Sequence, residues 1–202
     1  MEIRFDEQGL VPVVIQDWAS GEVLTLAYMS AESLELTRET GEVHFWSRSR
    51  EEIWRKGETS GNVLRLRQLR YDCDADAIVA LVEPTGPACH TGARSCFHRE
   101  VGGAAEPPPA AHEALGALER TLADRQHERP EGSYTVELLD EPALIGAKVR
   151  EEAEEVARAA GDESDERVAE EAADVLYHLA VLLRSRDVPI ERVLEVLNGR
   201  RR

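Results

Sequence analysis

The sequence predicts an α+β protein in two parts, a strand-rich N-terminal domain over residues 1–103 and an all-α helical-bundle C-terminal domain over residues 112–202, joined through residues 104–111. Short apolar runs of strand length dominate the first half, whereas good helix formers with apolar residues at the helical period dominate the second. Between them lies Gly102-Gly103-Ala104-Ala105-Glu106-Pro107-Pro108-Pro109-Ala110-Ala111, where paired glycine and tripled proline stop both a helix and a central strand.

In the first half, strands are expected at residues 11–15, 23–28, 43–46, 63–67 and 78–82, all short apolar or alternating runs with strand-favouring residues. One helix interrupts them at residues 31–39, with Ser30 as its N-cap, Glu32 near the positive end of its dipole and Gly41 as its stop. In the second half, helices are expected at residues 113–129, 143–160, 166–184 and 190–198. Pro130-Glu131-Gly132, Gly161-Asp162 and Pro189 separate them. No repeat relates the halves, which points to fusion rather than duplication.

The 42% hydrophobic and 32% charged content, with a net charge of -16, fits a well-solvated globular chain. Residues 112–202 carry 13 Lys and Arg against 22 Asp and Glu, leaving 11 against 18 for the remainder, so both halves are acidic. That balance lacks the electrostatic footprint of a nucleic-acid partner. A phosphorylated ligand would need local neutralisation by metal ions or a few placed cations. No apolar run approaches membrane-spanning length, and the stretch Met1-Glu2-Ile3-Arg4-Phe5-Asp6 lacks the features of a signal peptide; a cytoplasmic address and no membrane partner are expected. Three cysteines in a reducing compartment argue against a disulfide framework and for metal binding or nucleophilic chemistry.

The densest chemistry lies in Tyr71-Asp72-Cys73-Asp74-Ala75-Asp76 and in Cys89-His90-Thr91-Gly92-Ala93-Arg94-Ser95-Cys96. An extended continuation of the preceding strand would put Asp72, Asp74 and Asp76 on one side and Cys73 on the other. Thiolates prefer a softer ion such as Zn²⁺, and clustered carboxylates a hard one such as Mg²⁺. A three-cysteine zinc site leaves a position for water, whereas a structural zinc knot closes with four ligands and would need His90. The interleaved acids, useless to a knot, favour the catalytic reading.

These segments, with Gly9-Leu10-Val11-Pro12, Ala27-Tyr28-Met29, Glu32-Ser33-Leu34, Ser47-Arg48-Ser49-Arg50 and Trp54-Arg55-Lys56-Gly57-Glu58-Thr59-Ser60-Gly61-Asn62, resemble phosphoribosyl-AMP cyclohydrolase of histidine biosynthesis along nearly the whole first half. The resemblance implies Mg²⁺ at Asp72, Asp74 and Asp76, and Zn²⁺ at Cys73, Cys89 and Cys96 with the first thiolate shared across a homodimer. It also implies opening of the purine six-membered ring of phosphoribosyl-AMP by a zinc-activated water. His90 is the candidate proton shuttle, and an auxiliary structural role for it stands equally open. Arg48, Arg50, Trp54, Lys56, Thr59, Ser60 and Asn62 are candidate substrate-binding residues, since these segments combine cations, hydroxyls and backbone N–H groups suited to phosphate.

At 100° per residue, Lys148, Glu152 and Glu155 share a stripe beside the apolar stripe of Ile145, Val149, Ala153, Val156 and Ala160. On the next long helix Glu171, Asp174 and His178 lie beside Val168, Ala172, Val175, Leu179 and Leu182, and packing of the apolar stripes brings the acids to one edge. A solvated acidic face is the reading for Glu154, Glu163, Asp165 and Glu166, but burial beside a packed seam penalises unpaired charge at the others. The pattern resembles the all-α nucleotide pyrophosphohydrolases of the MazG-like type. With Ser133-Tyr134-Thr135 and Tyr177-His178-Leu179 it resembles phosphoribosyl-ATP pyrophosphohydrolase over most of residues 112–202.

That resemblance implies Mg²⁺ at Glu152, Glu155, Glu171 and Asp174, with Glu151 a further possible ligand. It implies attack of water, aligned by a carboxylate such as Glu152, on phosphoribosyl-ATP with loss of pyrophosphate. Lys148 and Arg150 are candidates to touch phosphate, and surface snorkelling is an equal alternative for both. Two rivals remain on the sequence, a non-catalytic zinc-bearing interaction module and a hydrolase acting on assorted nucleoside triphosphates.

Overall fold

A computed structural model describes residues 2–103 and 110–201. Most of the expected connecting segment, residues 104–109, lies outside the described residues. The chain divides into two compact units between Glu113 and Ala114.

The first unit is built on a four-stranded sheet of β1 (Leu10–Asp17), β2 (Val23–Ser30), β5 (Leu64–Tyr71) and β6 (Ile78–Pro84), in the order β2-β1-β6-β5. β1 pairs antiparallel with β2 and parallel with β6, and β5 pairs antiparallel with β6. Alternation along β1 sends Val11, Val13 and Ile15 into the core, where they meet Leu24, Met29, Ile78, Ala80 and Val82. Pro12 is tolerated in this inner strand because pairing with β6 starts only at Val13. A separate hairpin of β3 (His44–Ser47) and β4 (Glu52–Arg55) adds Phe45 and Trp54, their ring centroids 5.2 Å apart.

Helix α1 (Ala31–Thr40) starts where its caps say it should. The Ser30 hydroxyl accepts from Ser33 N–H, the Ser33 hydroxyl accepts from Ser30 N–H, and Gly41 ends the helix in the left-handed region at φ 69°. Strand β4 is not among the expected strands, because half its residues are charged and its only strand neighbour is β3.

The second unit is all helical: α2 (Ala114–Glu128), α3 (Tyr134–Asp140), α4 (Pro142–Asp162), α5 (Asp165–Ser185) and α6 (Ile190–Gly199), preceded by a 3-10 turn at Ala111–Glu113. Pro142 occupies the first turn of α4, where its missing N–H has no intrahelical partner to lose, and Ser164 caps α5 through Arg167 N–H. α3, only seven residues long, is too short to show a helical period in the sequence. Leu122, Leu138, Ile145, Ala180 and Val181 form the core. Among the described residues, no helix is long and apolar enough to cross a membrane.

Leu138 is fully buried in this small core. Leu138→Ala should therefore lower the unfolding free energy by about 2–5 kcal/mol, measurable as a reduced urea midpoint in the helical unit's circular dichroism.

Candidate functional sites

The Cys89–Cys96 loop folds back on itself and then runs beside β2. Ala88 N–H donates to Arg94 O (3.0 Å) and Cys89 N–H to Ala93 O (3.1 Å), Gly92 turns at φ 87°, and Cys96 N–H reaches Leu24 O (2.8 Å). Cys89 and Cys96 line the same cavity. The Thr91 hydroxyl, 3.1 Å from Cys89 Sγ, together with the Thr91 and His90 N–H groups, draws the Cys89 pKa below its usual value, whereas partial desolvation of the thiol pushes Cys96 up although the residue as a whole is exposed. The two thiols thus differ in acidity, Cys89 the more acidic.

Both thiols face a cavity of about 560 Å³ that is also lined by His90, Arg50, Trp54, Lys56, Thr59, Ser60 and Asn62. Arg48 is not on its wall; its guanidinium lies 4.0 Å from the Tyr28 ring centroid. Lys56 Nζ is 3.5 Å from Asn62 O, and partial burial lowers its pKa against the opposing effect of the Cys96 and Cys89 charges. The cradle depends on Gly57 at φ 89°, where an added Cβ would fall 2.5 Å from the Asn62 carbonyl carbon. His90 Nδ1 is 3.9 Å from Cys89 Sγ, and the residue is exposed.

Cys73 stands apart. It is exposed, and it forms no group with Cys89 and Cys96 among the described residues of one chain. The segment after β5 is also not extended as the alternation required. It closes into a turn in which Asp72 Oδ1 accepts from the N–H groups of Asp76 (3.0 Å) and Ala77 (3.2 Å), with Ala75 at φ 63°. Turn closure, rather than strand alternation, brings oxygens of Asp72, Asp74 and Asp76 within 4.8 Å of one another. Arg4 Nη2 approaches Asp74 (3.1 Å) and Asp76 (3.7 Å).

In the second unit, Glu152, Glu155 and Glu171 likewise offer oxygens within 4.8 Å of one another. The acids do not flank the seam as the helical-wheel reading placed them. Glu152 and Glu171 are buried at 8% and 3% exposure, whereas Ala153 and Ala160 face solvent, so α4 and α5 pack on faces turned toward the acids. Lys148 Nζ lies 2.9 Å from Glu151 and 3.9 Å from Glu152, Arg158 lies 3.6 Å from Glu155, and Arg167 pairs with Glu171. Asp174 is exposed and outside the triad; its carbonyl accepts from His178 Nδ1 at 2.9 Å. Buried His178 also contacts Tyr134 Oη (3.2 Å) and lies 3.6 Å from Glu152. Glu151 and Arg150 are exposed.

Spacing along the chain did not single out Arg4, Arg158, Arg167 or the Tyr134–His178 contact as parts of these sites. Arg4 and the Tyr134–His178 contact depend on partners that only the fold brings close, whereas Arg158–Glu155 and Arg167–Glu171 are pairs one turn apart on a single helix that helical spacing could have found.

The Asp74 charge, with some desolvation and the Asp72 charge, pushes the Asp76 pKa above its usual value. Such a group contributes stability that is full below its unfolded pKa and lost as pH rises through the folded one, so at neutral pH ionised Asp76 works against the metal-free fold. Asp76→Asn should melt at or above wild type in chelator and show a smaller rise in melting temperature on adding Mg²⁺. Thermal melts under both conditions check this.

Residues 25–98 match the family model for phosphoribosyl-AMP cyclohydrolase, and residues 115–201 match that for phosphoribosyl-ATP pyrophosphohydrolase. The chain is 52% identical over 200 residues to the histidine biosynthesis bifunctional protein HisIE of Bacillus subtilis (strain 168), covering 98% of this chain and 95% of that one. It is 49% identical to the protein of the same description from Halalkalibacterium halodurans, covering 100% and 96%, and 50% identical to that from Gloeobacter violaceus, covering 98% and 90%. With both halves matched in order and relatives aligned end to end, the chain belongs to the bifunctional histidine-biosynthesis family that joins a phosphoribosyl-AMP cyclohydrolase to a phosphoribosyl-ATP pyrophosphohydrolase.

Proposed function

We propose that the two units perform consecutive hydrolyses in the cytoplasm. Residues 112–202 convert phosphoribosyl-ATP to phosphoribosyl-AMP and pyrophosphate, residues 1–103 then open the purine ring, and residues 104–111 connect the two. The order of reaction runs opposite to the order of the chain. The observation that carries the ring-opening step is the cavity whose wall bears both loop thiols together with Arg50 and Lys56.

The donor sets fit the ions. Two thiols on one cavity wall, one with its pKa drawn down by the Thr91 hydroxyl, suit Zn²⁺, and a largely buried carboxylate triad suits Mg²⁺. When bound, Zn²⁺ supplies Lewis acidity that makes water a nucleophile near neutral pH, and Mg²⁺ neutralises phosphate charge. Cys73, exposed and in no group with the pair among the described residues of its own chain, fits a ligand given to a partner subunit in a homodimer. In this reading Asp72, Asp74 and Asp76 hold Mg²⁺.

The chain's own residues do the remaining work. Lys56 and Arg50 meet the ribose phosphate, Thr59, Ser60 and Asn62 supply further hydrogen bonds, Trp54 offers an aromatic wall, and His90 at the cavity rim moves the proton. Arg48, outside the wall, serves at the entrance. In the second unit Glu152, Glu155 and Glu171 hold the ion from inside the seam, Asp174 joins from its exposed edge, Lys148 meets phosphate, and Glu152 aligns the attacking water.

Point substitutions should separate the steps. Glu152→Gln should lower pyrophosphate release about 10²- to 10⁴-fold while ring opening of supplied phosphoribosyl-AMP continues. Cys89→Ser should do the reverse, accumulating phosphoribosyl-AMP with the first unit still folded. Absorbance of the ring-opened product and a pyrophosphate assay read the two outcomes. Unfolding of Cys89→Ser would favour a structural zinc module, and equal turnover of ATP or dUTP would favour a broad triphosphate hydrolase.

A further inference from the structure

Asp17 closes the inward-facing series Val11, Val13 and Ile15, so the period of β1 carries a carboxylate into the core at 4% exposure. Its Oδ1 accepts from the N–H groups of Ala19 and Ser20, both at 2.8 Å, which shapes the turn into β2. Its Oδ2 accepts from Arg94 Nη2 at 2.5 Å, and Glu22, on the far side of the same turn, accepts from Arg94 Nε at 2.5 Å. One planar guanidinium thus grips both ends of the β1–β2 turn.

Arg94 belongs to the loop that carries both cavity thiols. Its carbonyl accepts from Ala88 N–H, so the arm leading into Cys89 is held to it, while Ser95 Oγ donates to Val23 O (2.7 Å) and Cys96 N–H to Leu24 O just beyond. The side chain therefore anchors the loop from a position that lies between the two thiols and whose carbonyl is bonded to the opposite arm. Neither proposed hydrolysis uses Arg94, Asp17 or Glu22.

We propose that Arg94, seated between Asp17 and Glu22, is a positioning residue that presets the Cys89–Cys96 thiol pair for Zn²⁺. This rests on the zinc reading of the first unit and adds a cause for the affinity. A loop already held in its binding shape loses little conformational freedom on taking the ion, and partners just outside the ligands commonly set metal affinity in this way.

The test uses the full chain. Arg94→Lys keeps a positive charge but loses the two-pronged grip, and Glu22→Gln weakens one prong. Zn²⁺ affinity is read by competition with a chromophoric chelator, geometry by the visible absorption of the Co²⁺-loaded protein, and folding by thermal melts. Pyrophosphate release from the second unit serves as an internal control.

Arg94→Lys should raise the Zn²⁺ dissociation constant about tenfold to a hundredfold and alter the Co²⁺ bands, with pyrophosphate release unchanged. Glu22→Gln should move both in the same direction by less. Wild-type affinity and Co²⁺ spectrum in folded Arg94→Lys overturn the proposal. Should Arg94→Lys not fold, unchanged affinity in Glu22→Gln overturns it equally, and unfolding of both variants marks the cluster as purely structural and also overturns it. Failure of the zinc reading itself looks different, because Cys89→Ser would then bind Zn²⁺ as tightly as wild type.

Discussion

A carboxylate withdrawn from water must be met by positive charge or hydrogen-bond donors, and this constraint organises both units. Asp17 enters the core with Arg94 and two backbone N–H groups attached. Glu171 lies inside the helical seam with Arg167 on it, and Glu152 has Lys148 and His178 nearby. The exposed aspartate turn draws Arg4. At Asp17 the countercharge is built into the fold. In the two carboxylate triads much of it comes from Arg4, Arg158 and Arg167, whose side chains are 62%, 61% and 47% exposed and can yield their place to a divalent ion at small cost, while Lys148 and His178 are more enclosed.

That difference separates scaffold from site in physical terms. Arg94 is less than one-third exposed and bridges two well-buried acids, so it behaves as part of the frame. Arg4 and Arg158 are more than half exposed and reach the exposed Asp74 and the partly exposed Glu155. Site cations of this kind offset part of the repulsion among the acids while leaving the ligand oxygens accessible.

Much of this was readable from residue order. The alternation of Val11, Val13 and Ile15, the Ser30 and Gly41 caps, and the long amphipathic helices follow from local periods and cap chemistry, and the structure has them. The short elements β4 and α3 escape because four and seven residues give no readable period. The aspartate run was read as extended, but Ala75 adopts the left-handed region and Asp72 captures two N–H groups, a local competition that strand periodicity does not register. Helical spacing of 100° per residue puts the acid stripe beside the apolar one, at the margin of the α4–α5 seam. Glu152 and Glu171 lie within it. Arg94 stood in the quoted cysteine segment, yet its partners lie more than seventy residues away and only the fold brings them together.

The bond from Cys96 N–H to Leu24 O has a further consequence, because β2 is the outermost strand of its sheet on that side. The loop that carries the thiols also shields an open strand border that could otherwise template pairing with another chain. Oxidation or stripping with chelators that loosened this loop would uncover that border, linking the redox and metal state of the chain to its colloidal behaviour during purification and storage.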